Sequence, residues 1–295
     1  MTFRRFSQQR DGRVDHRVLP CPVPGDRGGH NADRLLQRPE DHVFRSQLLR
    51  RCGHQRHALP ASDDGFGSTK EDYADIVHYP ALAGRPVIAY DAPGCGDTRR
   101  GDPSNVSIPF LVATAKAVLA HVDVDRFHLV GHSMGGLTAL MLAHEAPQSI
   151  ASFIDIEGNV APEDCFLSRQ VIDYPSDDAR SFFDDFIERN WHAPYHASAL
   201  YASNLRHKVR AESVRGIFMS MVELSDHGDL MTKFLSLPFP RMFMYGEQNA
   251  ALSYLPHLLR NGVQLAQIAH SGHFPMYSNP VGMWASIAAF VRRSD

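Results

Sequence analysis

Residues 126–146 read RFHLVGHSMGGLTALMLAHEA, and this stretch decides how the chain folds. Arg126 to Val130 is a short apolar run of the kind that forms a buried strand. Gly135 to Ala146, rich in Ala, Leu and Met, has the composition of a buried helix. Between them lies Gly131-His132-Ser133-Met134-Gly135-Gly136, a G-x-S-x-G sequence at a strand-to-helix turn. A serine in that place is held in a strained backbone conformation that lifts its hydroxyl out of the sheet. The glycines are required because a Cβ would strike the neighbouring strand or helix. The turn also aims the helix N-terminus, beginning with the Met134 N–H, at any oxyanion that forms beside Ser133. Ser133 is therefore the candidate nucleophile.

Working outward, apolar runs alternate with helical patterns. Pro86 to Tyr90, Ile150 to Ile156, Arg241 to Tyr245 and Val263 to Ile268 read as strands. Lys70 to Leu82, Ser107 to Val122 and Met283 to Val291 have helical spacing. Strand alternating with helix predicts an α/β protein, its parallel sheet covered on both faces. Residues 158–237 interrupt that rhythm with helical patterns and no convincing strand, and read as an inserted helical cap. The core is then 64–157 together with 238–295. After the strand VQLAQIA comes Ser271-Gly272-His273-Phe274-Pro275. An imidazole on this loop can reach Ser133 from the carboxyl edge of the sheet, making His273 the candidate general base. His270 is the competing imidazole and is read as ending the strand. His132 is read as packing.

Three motifs in this order, YDAPGCGDT at 90–98, VGHSMGG at 130–136 and SGHFPMYSNP at 271–280, resemble the α/β-hydrolase superfamily. The resemblance runs from about residue 65 to 293 and is greatest to serine esterases with a helical cap. It implies a mostly parallel central sheet with helices on both faces, with Ser133 after the fifth strand. It implies a second oxyanion donor in Gly65-Phe66-Gly67-Ser68, the Phe66 N–H beside that of Met134. Many relatives carry the triad's aspartate at the position matching Asn249, where this chain has an amide that can orient an imidazole but not stabilise imidazolium by charge. Glu157, at the end of SFIDI, matches the acid position of other relatives. Glu247 is the alternative acid, with Asp155 a third. A serine at 133 excludes the members that attack with aspartate.

Residues 1–63 form an atypical, Arg-rich segment: 12 Arg, no Lys and 7 acids, a local charge near +5 within a chain of −3. Only 19 of these 63 residues are apolar, and no period is sustained, so the segment reads as irregular or disordered. A solvated basic tail and an out-of-frame translation both fit it. Leu59-Pro60-Ala61-Ser62-Asp63 stands where a central apolar strand belongs, which predicts missing or irregular N-terminal strands.

The net charge argues against a nucleic-acid partner. No run is long and apolar enough for a membrane span or a secretory signal. Four scattered cysteines and no zinc-ligand spacing predict a cytoplasmic protein with no metal and no cofactor. The cap's aromatics, among them Phe166, Phe182, Phe186 and Phe218, are expected to pack it down, and a minority to line an apolar cleft. The function expected is hydrolysis of a small-molecule carboxylic ester or lactone. The rivals are a hydrolase-like binding protein without turnover, and an amidase, C–C hydrolase, perhydrolase or acyltransferase.

Overall fold

A computed structural model describes residues 43–45, 59–61, 65–98, 102–122 and 124–295. In it the apolar runs become strands β1 (Val43–Arg45), β2 (Leu59–Ala61), β3 (Val87–Tyr90), β4 (Phe127–His132), β5 (Ile150–Ile156), β6 (Arg241–Gly246) and β7 (Gln264–Ile268). They form one sheet in the order β1-β3-β2-β4-β5-β6-β7. Only β1 pairs antiparallel; the others are parallel. Every residue of β3, β4 and β5 is buried, which is why these strands read as unbroken apolar runs rather than as alternation.

The N-terminal part of the sheet, expected to be missing or irregular, consists of β1 and β2, each of three residues. β2 holds the central place beside β4, with Pro60 in register with Ile88 and Ala61 opposite Val130. A proline gives no N–H to the ladder, and this strand is three residues long. These pieces aside, residues 1–63 lie outside the described residues, and so does the reading of them as disordered. Ser133 follows the fourth of the described strands.

Helices α1 (Ile108–Val122), α2 (Met134–Glu145) and α9 (Pro280–Ser294) pack on the sheet core. The Lys70–Leu82 stretch is not one α-helix but two 3₁₀ segments, Lys70–His78 and Pro80–Leu82. Pro80, fixed in φ and without an N–H, opens the second. Between β5 and β6 the chain turns through 3₁₀ segments at Pro162–Phe166 and Ser168–Val171. It continues as α3 (Ala179–Trp191), α4 (Ser198–Lys208), α5 (Ala211–His227) and α6 (Leu230–Ser236). Phe182, Phe186 and Phe218 are buried and meet one another at ring distances of 5.4–6.1 Å. Phe218 and Phe186 also meet Phe66, at 4.7 and 6.2 Å, fixing α3 and α5 over the loop before β3. α6 instead packs Phe234 onto Phe153 and Phe243 of the sheet. The short helices α7 (Leu255–Arg260) and α8 (Pro275–Ser278) flank β7. Among the described residues no helix is long and apolar enough to cross a membrane.

Candidate active site

β4 and β5 run parallel and in register up to His132 and Ile156, so the residues that follow each strand emerge side by side. Those residues are Ser133 and Glu157. Both take a left-handed φ, 51° and 48°, which costs a residue with a Cβ about 1–2 kcal/mol and persists only where the surroundings impose it. Here the surroundings are backbone hydrogen bonds. The Ser133 N–H donates to the Ile156 carbonyl at 3.0 Å, and the Glu157 N–H to the Met244 carbonyl at 2.9 Å. The elbow's steric demand falls on Gly131, whose added Cβ would lie 2.4 Å from the Gly135 carbonyl oxygen, and on Gly136, where it would lie 2.5 Å from Asp155 Oδ1.

His273 stands between the two. Its Nε2 is 3.0 Å from Ser133 Oγ, and its Nδ1 is 2.8 Å from Glu157 Oε2. The Glu157 carboxylate is otherwise saturated. Oε1 accepts from the Gly246 N–H at 2.6 Å, and Oε2 also accepts from Asn249 Nδ2 at 2.5 Å. Both oxygens therefore face donors, which fixes the carboxylate in the ring plane's reach and selects the tautomer with the proton on Nδ1. Nε2 is then a lone pair directed at the serine hydroxyl. Asn249, which on sequence grounds looked like a lost acid, is a donor to the acid carried by the neighbouring strand. A carboxylate one strand over, paired with an amide at the vacated position, is the sequence signal that could have found this.

The other candidate acids are placed elsewhere. Glu247 is half-exposed, and its Oε2 accepts from the His270 N–H at 2.8 Å, so it braces the loop from outside instead of meeting His273. Asp155 is fully buried beneath the elbow, where Oδ1 accepts from the Gly158 N–H at 2.8 Å. Burial pushes its carboxyl well above the ordinary range. His270, 88% exposed and also at positive φ, lies on the turn after β7, which itself ends at Ile268.

His132 does more than pack. It is buried, and its Nε2 donates to the backbone carbonyl of His273 at 2.7 Å, tying the base's loop to the end of β4. Burial, and secondarily the nearby His273 ring, hold this imidazole well below its ordinary value, hence neutral. Met134 opens α2, so its N–H is among the helix's first donors, which have no acceptor within the helix. Phe66 lies on a tight turn closed by the Ser68 N–H on the Gly65 carbonyl at 2.8 Å, and it lines the same pocket as Ser133.

That pocket is small, about 20 Å³, and is walled by Phe66, Tyr201, Phe218, Met221 and Phe274 around Ser133. A second cleft of about 490 Å³ opens on the other side of His273, against Glu157, Leu252, Tyr195, Asn190 and Arg189. Phe166, half-exposed, meets the His273 ring edge-on at 5.3 Å and borders both spaces. Asp164 also borders both. Burial pushes its carboxyl up to about 6, against the hydrogen bonds it accepts from Tyr254 and from the Val160 and Ala161 N–H groups.

Residues 57–241 match the model of a family described as alpha/beta hydrolase fold. Over 93 residues the chain is 42% identical to the dihydrolipoyllysine-residue acetyltransferase component of the acetoin cleaving system of Pseudomonas putida, a match covering 30% of this chain and 23% of that protein. Over 106 residues it is 36% identical to a pimeloyl-[acyl-carrier protein] methyl ester esterase of Aeromonas hydrophila, covering 36% and 38%. The chain thus spans well under half the length of these curated relatives. Among solved structures, MenH from S. aureus superposes with a TM-score of 0.69 at 15% identity, over 86% of this chain and 98% of that one, a likeness of fold.

Proposed function

The chain belongs to the alpha/beta hydrolase family, and from that premise we propose that it is a serine hydrolase cleaving small-molecule carboxylic esters through an acyl-enzyme. The observation that carries this reading is the unbroken hydrogen-bonded line from Ser133 Oγ through His273 to Glu157. In this reading Ser133 Oγ attacks the ester carbonyl carbon while its proton passes to His273 Nε2. The Met134 and Phe66 N–H groups take the negative charge that forms on the carbonyl oxygen. As the C–O bond to the alcohol breaks, His273 returns the proton to the departing oxygen, leaving Ser133 acylated. Water then attacks the acyl carbon and gives its proton to His273. The bond to Oγ breaks and Ser133 regains its hydrogen. The Glu157 carboxylate, hydrogen-bonded to His273 Nδ1, stabilises the imidazolium of each step.

The ester form of the reaction is carried by the name of one relative, a methyl ester esterase, and the amide form by others, proline iminopeptidases. Asn249, an amide where many relatives carry an aspartate, serves this reading as a donor to Glu157. The test is reaction of the purified chain with a small fluorophosphonate, alongside hydrolysis of p-nitrophenyl acetate. The reading expects stoichiometric labelling at Ser133 and turnover, both lost in Ser133→Ala. An unlabelled wild type, or turnover that survives Ser133→Ala, overturns it.

A further inference from the structure

We infer that the substrates are esters of a very short acyl group, acetyl or propionyl, with a bulky alcohol, an inference that rests on the esterase reading above. The two spaces beside the triad are unequal, and chemistry decides which part of an ester enters each. The leaving oxygen must receive its proton from His273 Nε2, so the alcohol lies against the imidazole. Both spaces touch His273, but only the smaller also touches Ser133 and Phe66. The larger cleft, which shares Phe166 and Phe274 with it and holds about 490 Å³, continues past the imidazole and has the room for a bulky alcohol. The acyl carbon bonds to Ser133 Oγ with its oxygen toward the Phe66 N–H, so the rest of the acyl group enters the pocket lined by both.

That pocket has about 20 Å³, on the order of one or two water molecules and no more than a methyl or ethyl group. Its back wall is rigid. Phe218 and Tyr201 are almost wholly buried; Phe218 packs on Phe66 at 4.7 Å, and Tyr201 stacks on Phe274 at 4.1 Å. Met221 closes the space from α5 and, being unbranched, is the wall residue most easily trimmed. Extra methylenes on the acyl group must displace packed side chains, whereas extra size on the alcohol meets an open cleft.

The experiment compares kcat/KM for p-nitrophenyl acetate, butyrate and hexanoate, and for phenyl against 2-naphthyl acetate, with fluorophosphonate labelling of Ser133 run in parallel. The expected result is a fall of at least tenfold from acetate to butyrate and a further fall to hexanoate. Naphthyl acetate should be at least as good a substrate as phenyl acetate. Met221→Ala should improve butyrate relative to acetate by about fivefold or more, and Phe218→Leu gives a second trimming of the same wall should that variant misfold. A chain that labels at Ser133 and hydrolyses hexanoate as fast as acetate overturns the inference and leaves the esterase reading standing. A chain that neither labels nor hydrolyses any ester overturns both.

Discussion

Replacing Glu157 by Gln tests the centre of the site with almost no change in volume. The carboxylate accepts three hydrogen bonds, from Gly246 N–H, Asn249 Nδ2 and His273 Nδ1. A glutamine amide has one oxygen and one NH2 for these positions. With the oxygen toward Gly246, the NH2 faces Asn249 and His273, so His273 must accept at Nδ1 and carry its proton on Nε2. That tautomer has no lone pair for the serine proton. With the amide reversed, the NH2 meets the Gly246 N–H, donor against donor, in a buried place. The lost charge adds to this. With charge centres about 4 Å apart and an effective dielectric near 20, carboxylate and imidazolium attract by about 4 kcal/mol. Each decade of rate is about 1.36 kcal/mol, so the charge alone is worth about three decades in kcat. The wrong tautomer pushes the loss toward four. The assay is kcat for p-nitrophenyl acetate at saturating substrate and neutral pH, with Glu247→Gln as comparator and near-UV dichroism to show both variants folded. Glu157→Gln retaining a tenth of wild-type kcat, or Glu247→Gln falling as far, refutes the assignment of the acid.

Asn249→Asp sets a second carboxylate against Glu157 in place of the 2.5 Å amide donor, and like charges there resist joint ionisation. The acid limb of kcat/KM against pH should move upward, with about a tenfold loss at pH 7 that shrinks at pH 9; an unchanged profile removes Asn249 from the site. For His132, whose imidazole is held neutral by burial, the unfolded chain gains a proton as pH falls through about 6.5 and the folded chain does not. Its contribution to stability is therefore present above that pH and lost below it. His132→Gln can still donate to the His273 carbonyl but cannot titrate. Its thermal midpoint relative to wild type should rise as pH is lowered from 7.5 to 5.5, and a pH-independent difference contradicts the argument.

Ser133 and His273, the candidate nucleophile and base that lie 3.0 Å apart, were legible in the sequence because each is announced by its local context. Ser133 sits between an apolar run and a helix, and His273 follows the last strand on a glycine loop. The candidate acid was read as Glu157, with Glu247 and Asp155 as alternatives. Glu157, Asp155 and Glu247 lie within reach of suitable strand ends, and only the pairing of β4 with β5 and of β5 with β6 shows which one faces the imidazole. His132 looked like filler because its partner is a backbone carbonyl 141 residues away, which no pattern of side chains announces. Asn249 looked like damage because a position was read without its neighbour. The division of the cleft depends on how α5 and the turn at Phe166 approach Ser133, and neither approach has a local signature. At β2 the reading from Pro60 was of a missing or irregular strand, and three residues, Leu59–Ala61, pair there in parallel with β3.

The amides of Ser133 and Glu157 are themselves rungs of the ladder, one reaching back to Ile156 and the other across to Met244. Alignment of the reacting groups is thus inseparable from the integrity of three adjoining strands. These two residues have no private way to melt: breathing at the periphery leaves them in place, and their placement fails only when the middle of the protein comes apart. Resistance of these two amides to deuterium uptake should accordingly equal that of the deepest core residues, although the serine side chain stands at the edge of a substrate cleft.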